Sequence, residues 1–312
     1  MAKPTPNALD YIQPLNMNGL QGRMLYMPST KPGGREILVV YGHHAMLERW
    51  WGLVQNLNTY GSVTMPDLPG FGGMDSFYKI GQKPTIDNMA DYLASFVKLR
   101  YKRRRIIIMG VSFGFVVATR MLQRYPDLAK KVDLLVSAAG FSRYDDFKFT
   151  PIRVLNYRLI SKVFSWPVFW QIFRFICLNP WVLRKAYAKT HNAKHKFAEV
   201  SGLPEQFEAM MDFEIQLWHK NDLRTHMSTS NEFLHLDNCK KRVPVPVWHV
   251  YTKDDQYFDQ HMVEQHLRVI FEDYMSTPTT LKNHVVSVLA DKKETASFIP
   301  FKLRKYLARK ES

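Results

Sequence analysis

Five stretches of the chain are apolar almost without interruption, and they set the architecture. They are ILVVYG (37–42), GSVTMPD (61–67), RIIIMG (105–110), DLLVSAAG (133–140) and VPVPVWHVYT (243–252). A short run that is apolar at consecutive positions reads as a strand covered on both faces, the condition of strands in a parallel sheet. An earlier strand fits Leu20–Met27. Helical spacing fills the gaps. Residues 44–58 carry Trp50 and Trp51. Thr85 offers a cap for a helix over 86–100, with Met89, Leu93, Phe96 and Val97 on one face. Residues 115–124 continue as a helix until Tyr125-Pro126, where proline stops it. After the last long strand the pattern predicts a helix near 259–271, a short strand around 278–282 and a basic helix near 294–310. Strands alternating with helices predict an α/β fold with a mostly parallel central sheet flanked by helices.

The alternation lapses between 141 and 242, where the pattern reads as helices and loops rich in aromatic residues. The chain therefore divides into a core over 1–140, a helical insertion over 141–242, and the rest of the core over 243–312. With 46% hydrophobic and 13% aromatic residues, the 312-residue chain can bury a large core, which excludes global disorder. Two cysteines, Cys177 and Cys239, provide neither a disulfide framework nor a four-cysteine zinc site. The N-terminal stretch lacks the apolar segment of a leader, and no run reaches the ~18 apolar residues that a spanning helix needs. The expectation is a cytoplasmic protein.

Candidate chemistry centres on Gly110-Val111-Ser112-Phe113-Gly114, a G-x-S-x-G pattern with a strand directly before it and a helix directly after. A sharp strand-to-helix turn strains the serine backbone, and glycines two residues to either side remove the side chains that would crowd it. The turn lifts the Ser112 hydroxyl above the sheet, with a helix N-terminus favouring negative charge beside it. A serine hydroxyl needs a base, and the order serine, acid, histidine is expected on this architecture. His284, in LKNHVVSVL, follows the last short strand and so falls at the carboxyl edge of the sheet, where Ser112 also lies. His261 and His266, on the preceding helix, are poorer candidates. The acid should follow the strand VWHVYT. Asp255 fits the end of that turn best, with Asp254 as its alternative and Asp145 and Asp146 as more distant ones.

Tyr41-Gly42-His43, the turn Asp67-Leu68-Pro69-Gly70-Phe71-Gly72, the elbow at Ser112, the late Asp255 and the terminal His284 together resemble the α/β-hydrolase superfamily. The resemblance spans nearly the whole chain. It implies a serine hydrolase of the ester, thioester or carbon–carbon bond type, since the branches that cleave carbon–halogen bonds and epoxides carry aspartate at the elbow. It implies an oxyanion hole from the amides of His43 and Phe113, a bracing role for the Asp67 turn, and a helical cap over the serine from 141–242. Tyr41 stands where the superfamily usually has histidine. Because the donors are main-chain amides, that exchange need not abolish the hole. His43 and His44 fit two readings equally, polar groups in the pocket or polar surface.

Neither a cofactor nor a metal is expected. His191 and His195 have i,i+4 spacing but no acidic neighbour to complete a ligand motif, and read as a solvated helix face. The expected substrate is a carboxylic ester or thioester with an apolar, lipid-like acyl group, cleaved in the manner of an esterase or lipase. Three alternatives stay open: acyl transfer, carbon–carbon bond hydrolysis, and a silent lipid-binding or interaction member of the fold.

Charge adds one further expectation. Lys and Arg number 43 against 28 acidic residues, a net +15, which points to an anionic partner. Residues 151–200 hold nine Lys or Arg, ten aromatics and one acid, Glu199. VFSWPVFWQIFRFICL (163–178) is too short and too broken to span a bilayer. Its surroundings suit either an acyl pocket with a basic rim or a peripheral contact with an anionic membrane surface, and the two are compatible. The basic runs at Arg100–Arg105 and in FKLRKYLARK read as solvated surface. No nucleic-acid-binding motif accompanies them.

Overall fold

Eight strands form one sheet in the order β1-β2-β4-β3-β5-β6-β7-β8 in the computed structural model, which describes residues 7–164, 166, 169, 171, 174–175, 178–189, 204–281, 284, 286 and 290–309. The strands are β1 Ile12–Met17, β2 Leu20–Met27, β3 Arg35–Val40, β4 Gly61–Pro66, β5 Ile106–Val111, β6 Val132–Ala138, β7 Val247–Tyr251 and β8 Tyr274–Pro278. β2 runs antiparallel to both β1 and β4, and every other pairing is parallel. β4 and β5 are buried at every position, Ser62 and Thr64 of β4 included, as strands covered on both faces of a sheet must be. The helices α1 Trp51–Leu57, α2 Ile86–Arg100, α3 Phe113–Arg124 and α4 Pro126–Ala129 add further core side chains.

Local signals explain most element ends. Thr85 caps α2 by accepting from the Asn88 amide at 3.1 Å. The segment over 44–58 is a 3₁₀ turn, Leu47–Trp50, followed by α1. Helix α3 starts two residues earlier than the sequence pattern suggested, directly after the elbow serine. The last strand lies at Tyr274–Pro278 and not at 278–282. The C-terminal helix is divided into α10 Lys292–Thr295, a 3₁₀ turn Ala296–Phe298 and α11 Phe301–Ala308, with Pro300 at the break.

Between β6 and β7 lie α5 Pro151–Phe164, α6 Pro180–Lys189, α7 Pro204–Lys220 and α8 Leu223–Phe233; α9 Gln260–Ile270 follows β7. The junction of α7 and α8 is pinned to the 68–73 turn. The Asp222 amide donates to Gly70 O (2.8 Å), Gly72 N to Asn221 Oδ1 (2.8 Å) and Gly73 N to Lys220 O (3.1 Å). These bonds set the inserted helices against the carboxyl edge of the sheet. His191, His195 and Cys177 lie outside the described residues. Among the described residues no helix is long and apolar enough to cross a membrane.

Candidate active site

Ser112 joins β5 to α3 with φ +48° and ψ −113°, a conformation that an L-residue adopts only under strain. The flanking glycines are dictated by contact. A Cβ at Gly110 would meet Phe115 Cα at 2.4 Å, and one at Gly114 would meet Val40 O at 2.0 Å. The bend therefore needs both glycines.

β7 ends in the loop that carries Asp255, and the chain after β8 brings in His284. Asp255 is 1% exposed. Its Oδ2 accepts from His284 Nδ1 at 2.6 Å, and its Oδ1 accepts from the amides of Tyr257 (2.8 Å) and Phe258 (3.1 Å). His284 Nε2 is then the acceptor facing Ser112 Oγ at 3.1 Å. Burial alone would raise the Asp255 carboxyl. The hydrogen bond and charge of His284, with the two amides, outweigh it and hold the group below the ordinary carboxylate range. The imidazole is also wedged against Phe258 and Tyr257, with ring centroids 5.0 and 5.4 Å away. The structure thus brings Ser112, Asp255 and His284 into one chain of hydrogen bonds. Asp254 is exposed.

The segment 41–44 lies beside the elbow. A Cβ on Gly42 would sit 3.3 Å from Val111 O and 3.5 Å from Ser112 Cβ, so the chain leading into His43 runs directly beside the elbow. Tyr41 is fully buried. Its hydroxyl donates to Asp67 Oδ1 (2.9 Å) and accepts from the Leu68 amide (2.9 Å). Arg23 Nε reaches the other Asp67 oxygen at 3.1 Å. Tyr41 thereby ties the 67–73 turn to the end of β3.

His43 is partly buried and not on an open surface. Its ring packs among Phe71, Phe113, Phe233 and His226. Its Nε2 meets Thr229 Oγ1 at 2.7 Å. Thr229 spends its hydroxyl proton on Thr225 O (2.8 Å), so His43 Nε2–H is the donor. Burial, reinforced by His226, drives the pKa of His43 well below that of a free histidine and keeps it neutral. His44 sits beside Trp218, ring centroids 4.1 Å apart, and Asn221.

Sequence reasoning missed two arrangements. One is Thr229, on α8, which holds His43 from the inserted helices. The other is a second histidine–carboxylate pair, His266 Nδ1 with Asp146 Oδ1 at 2.6 Å. His266 shares the buried face of α9 with Val263, Leu267 and Ile270, and that helical spacing was the available signal. Asp145, Asp146 and His266 are also the group of potential metal ligands found among the described residues. Asp146 and His266 are already bonded to one another.

The sequence signature of the family described as "Serine aminopeptidase, S33" matches residues 34–270. Among curated proteins no sequence matches the chain. Similar solved structures include a thermophilic esterase from Thermogutta terrifontis. It has 15% identity and a TM-score of 0.63, covering 95% of this chain and 100% of that one. An esterase from Rhodococcus sp. ECU1013 has 14% identity and a TM-score of 0.63, covering 96% and 100%. A membrane phospholipase A, described as a bacterial virulence factor, has 14% identity and a TM-score of 0.63, covering 95% and 86%. At these identities the likeness is one of fold.

Proposed function

The chain belongs to the serine aminopeptidase S33 family of α/β hydrolases, and from that premise we propose that it is a serine hydrolase cleaving a carboxylic ester or thioester with an apolar acyl group. The observation that carries this reading is the Ser112–His284–Asp255 chain of hydrogen bonds, ending on a serine held at positive φ. His284 Nε2 takes the Ser112 proton as Oγ attacks the acyl carbonyl carbon. Asp255 keeps the imidazole proton on Nδ1 and stabilises the cation that forms. The amides of Phe113 and His43 receive the oxyanion, each donor contributing about 10²–10³-fold to the rate. Collapse expels the alcohol or thiol, which takes its proton from His284. Water, deprotonated by the same nitrogen, then releases the acid and restores Ser112.

An apolar acyl group is supported by the walls beside the serine. Phe113 contacts Phe233 (5.1 Å between centroids), Phe233 contacts Phe141 (5.5 Å), and Phe141 stacks on Phe258 (4.6 Å). We read α5 to α8 as the cap that closes over this aromatic lining and excludes water. A lipid-like ester presented at an anionic membrane surface fits both the lining and the basic insertion.

Fluorophosphonate labelling of wild type, Ser112→Ala and His284→Ala tests the reading. Labelling of wild type alone is expected, followed by turnover of acyl esters that rises with chain length. A folded wild type that neither labels nor releases acid from any ester or thioester would overturn it.

A further inference from the structure

A helix on the surface of a globular protein normally turns its apolar stripe inward. Helix α5 does the opposite. It packs on α8, and the side it turns inward carries Ser161, which is 4% exposed, and half-buried Val154. At ~100° per residue, Ile152, Leu155, Leu159 and Val163 fall on a strip about 80° wide on the opposite side. They are 73%, 65%, 63% and 36% exposed, and Ile160 beside them is 45% exposed. Arg153 borders the strip on one edge, and Arg158 and Lys162 on the other, all three exposed. Further along the chain Trp166, Phe175 and Trp181 are exposed as well, and the Lys185 ammonium lies 3.7 Å over the Trp181 ring.

We propose that the outward face of α5 is a docking surface for an anionic lipid bilayer, with the aliphatic strip entering the headgroup boundary and the flanking cations meeting lipid phosphates and carboxylates. Charge decides the occupant. From 151 to 198 the chain has nine basic residues and no acidic one. Arg153, Arg158 and Lys162 border the strip itself. A second copy of the chain would set two such faces against each other and repel. An aliphatic strip with Arg and Lys edges is the design of a helix lying in a membrane interface.

The side of α5 turned away from the strip leads to the candidate active site. Tyr157 of α5 contacts Phe149 (5.4 Å), Phe149 stacks on Phe147 (5.0 Å), Phe147 contacts Phe258 (4.7 Å), and Phe258 lies against the His284 ring (5.0 Å). An acyl chain that passed round α5 from the bilayer would meet aromatic side chains from Tyr157 as far as the base. Docking is independent of catalysis; only this delivery rests on the hydrolase reading.

Flotation with phosphatidylserine–phosphatidylcholine vesicles and with phosphatidylcholine vesicles tests docking directly, using wild type, Ser112→Ala, Leu155→Gln/Leu159→Gln and Arg153→Gln/Lys162→Gln. Circular dichroism and the thermal midpoint report whether each variant folds. Wild type and Ser112→Ala should bind the anionic vesicles equally and lose binding in high salt, and each double variant should bind about tenfold less or weaker still. Wild type that binds no vesicle, or binds neutral and anionic vesicles alike, overturns the proposal. So does binding that survives both double variants, or a wild-type dimer at the flotation concentration that the same variants dissolve. Loss of hydrolysis in Ser112→Ala with intact flotation leaves docking supported whatever the chemistry proves to be.

Discussion

Two buried histidine–carboxylate pairs lie at the ends of the neighbouring strands β6 and β7, and they are nearly superimposable in chemistry. In each, histidine Nδ1 is 2.6 Å from a carboxylate oxygen: His266 with Asp146 and His284 with Asp255. In each, the other oxygen caps a turn by accepting two backbone amides. For Asp146 these are Ser142 (2.7 Å) and Arg143 (2.9 Å), and for Asp255 they are Tyr257 and Phe258. The pairs differ at Nε2. His284 presents it to the strained Ser112, whereas His266 Nε2 lies 3.4 Å from Arg143 Nη1 and 3.9 Å from Asp145 Oδ1. An oriented imidazole becomes a base only where its free nitrogen meets a proton worth taking. The second pair supports the first. Asp259 N donates to Asp146 O (2.8 Å), Lys148 N to Tyr257 O (2.8 Å) and Lys148 Nζ to Asp255 O (3.0 Å), so the segment after β6 holds the loop that bears the acid.

The largest expected contrast is in turnover. Asp255→Asn should lower kcat on the order of 10⁴-fold, because an amide in its place favours the wrong histidine tautomer. Asp146→Asn should keep most of the turnover, since no reacting atom touches it. Steady-state kinetics on one ester decides this. Equal losses in the two variants would break the distinction between a reacting pair and a supporting one.

Stability should reverse the order. Removing one partner from a buried, hydrogen-bonded pair costs about 3–5 kcal/mol. His266→Ala should approach the lower end of that range in urea unfolding, because it strands the fully buried Asp146. His284→Ala should cost less, because the vacated ring position opens toward Ser112, where water can enter to solvate Asp255.

This division between the pairs also marks what was legible in the sequence. β3 to β7 were readable because each is short and apolar at successive positions, and the Ser112 elbow because contacts at Gly110 and Gly114 leave no alternative residue. Asp255 and His284 were readable by chain order. β1 was not, because IQPLNM is an edge strand with half of its side chains exposed and no apolar period. Asn18-Gly19, between β1 and β2, was the hairpin signal that could have found it. The Asp146–His266 pair and Thr229–His43 join elements more than a hundred residues apart, and no local pattern records such a contact. The outward stripe of α5 was hidden for another reason. Its spacing is that of any amphipathic helix, and only the packing reveals which side faces away.

A smaller effect should sharpen what sets the His284 site apart. Thr229 holds His43 Nε2–H, and the His43 amide is one of the two proposed oxyanion donors, so Thr229 is a positioning residue. Thr229→Val should lower kcat about tenfold with little change in KM, a fraction of what losing the donor itself would cost. Thr229→Ser should restore it. A change in KM alone, or failure of serine to rescue, would reduce the contact to packing between α8 and the 41–44 segment.

The finest test uses the sign of proton linkage. Burial is the largest influence on both carboxyls, but it prevails only at Asp146, whose pKa is raised despite the Ser142 amide and His266, while at Asp255 the partners prevail and the pKa is lowered. A lowered folded pKa means that the unfolded chain binds the proton first as pH falls. The stabilisation from Asp255 is therefore present above the ordinary carboxylate value, about 3.9, and is lost as pH falls through the lower folded value. A raised folded pKa means that the folded chain keeps its proton longer as pH rises. The contribution of Asp146 is thus largest below about 3.9 and declines as pH climbs through its raised value. Urea stability measured across the acid range, wild type minus Asp255→Asn and wild type minus Asp146→Asn, should give difference curves of opposite slope. Each should be no steeper than about one proton. Slopes of the same sign would mean that the two pairs share one electrostatic balance, and that only the neighbour of Nε2 tells them apart.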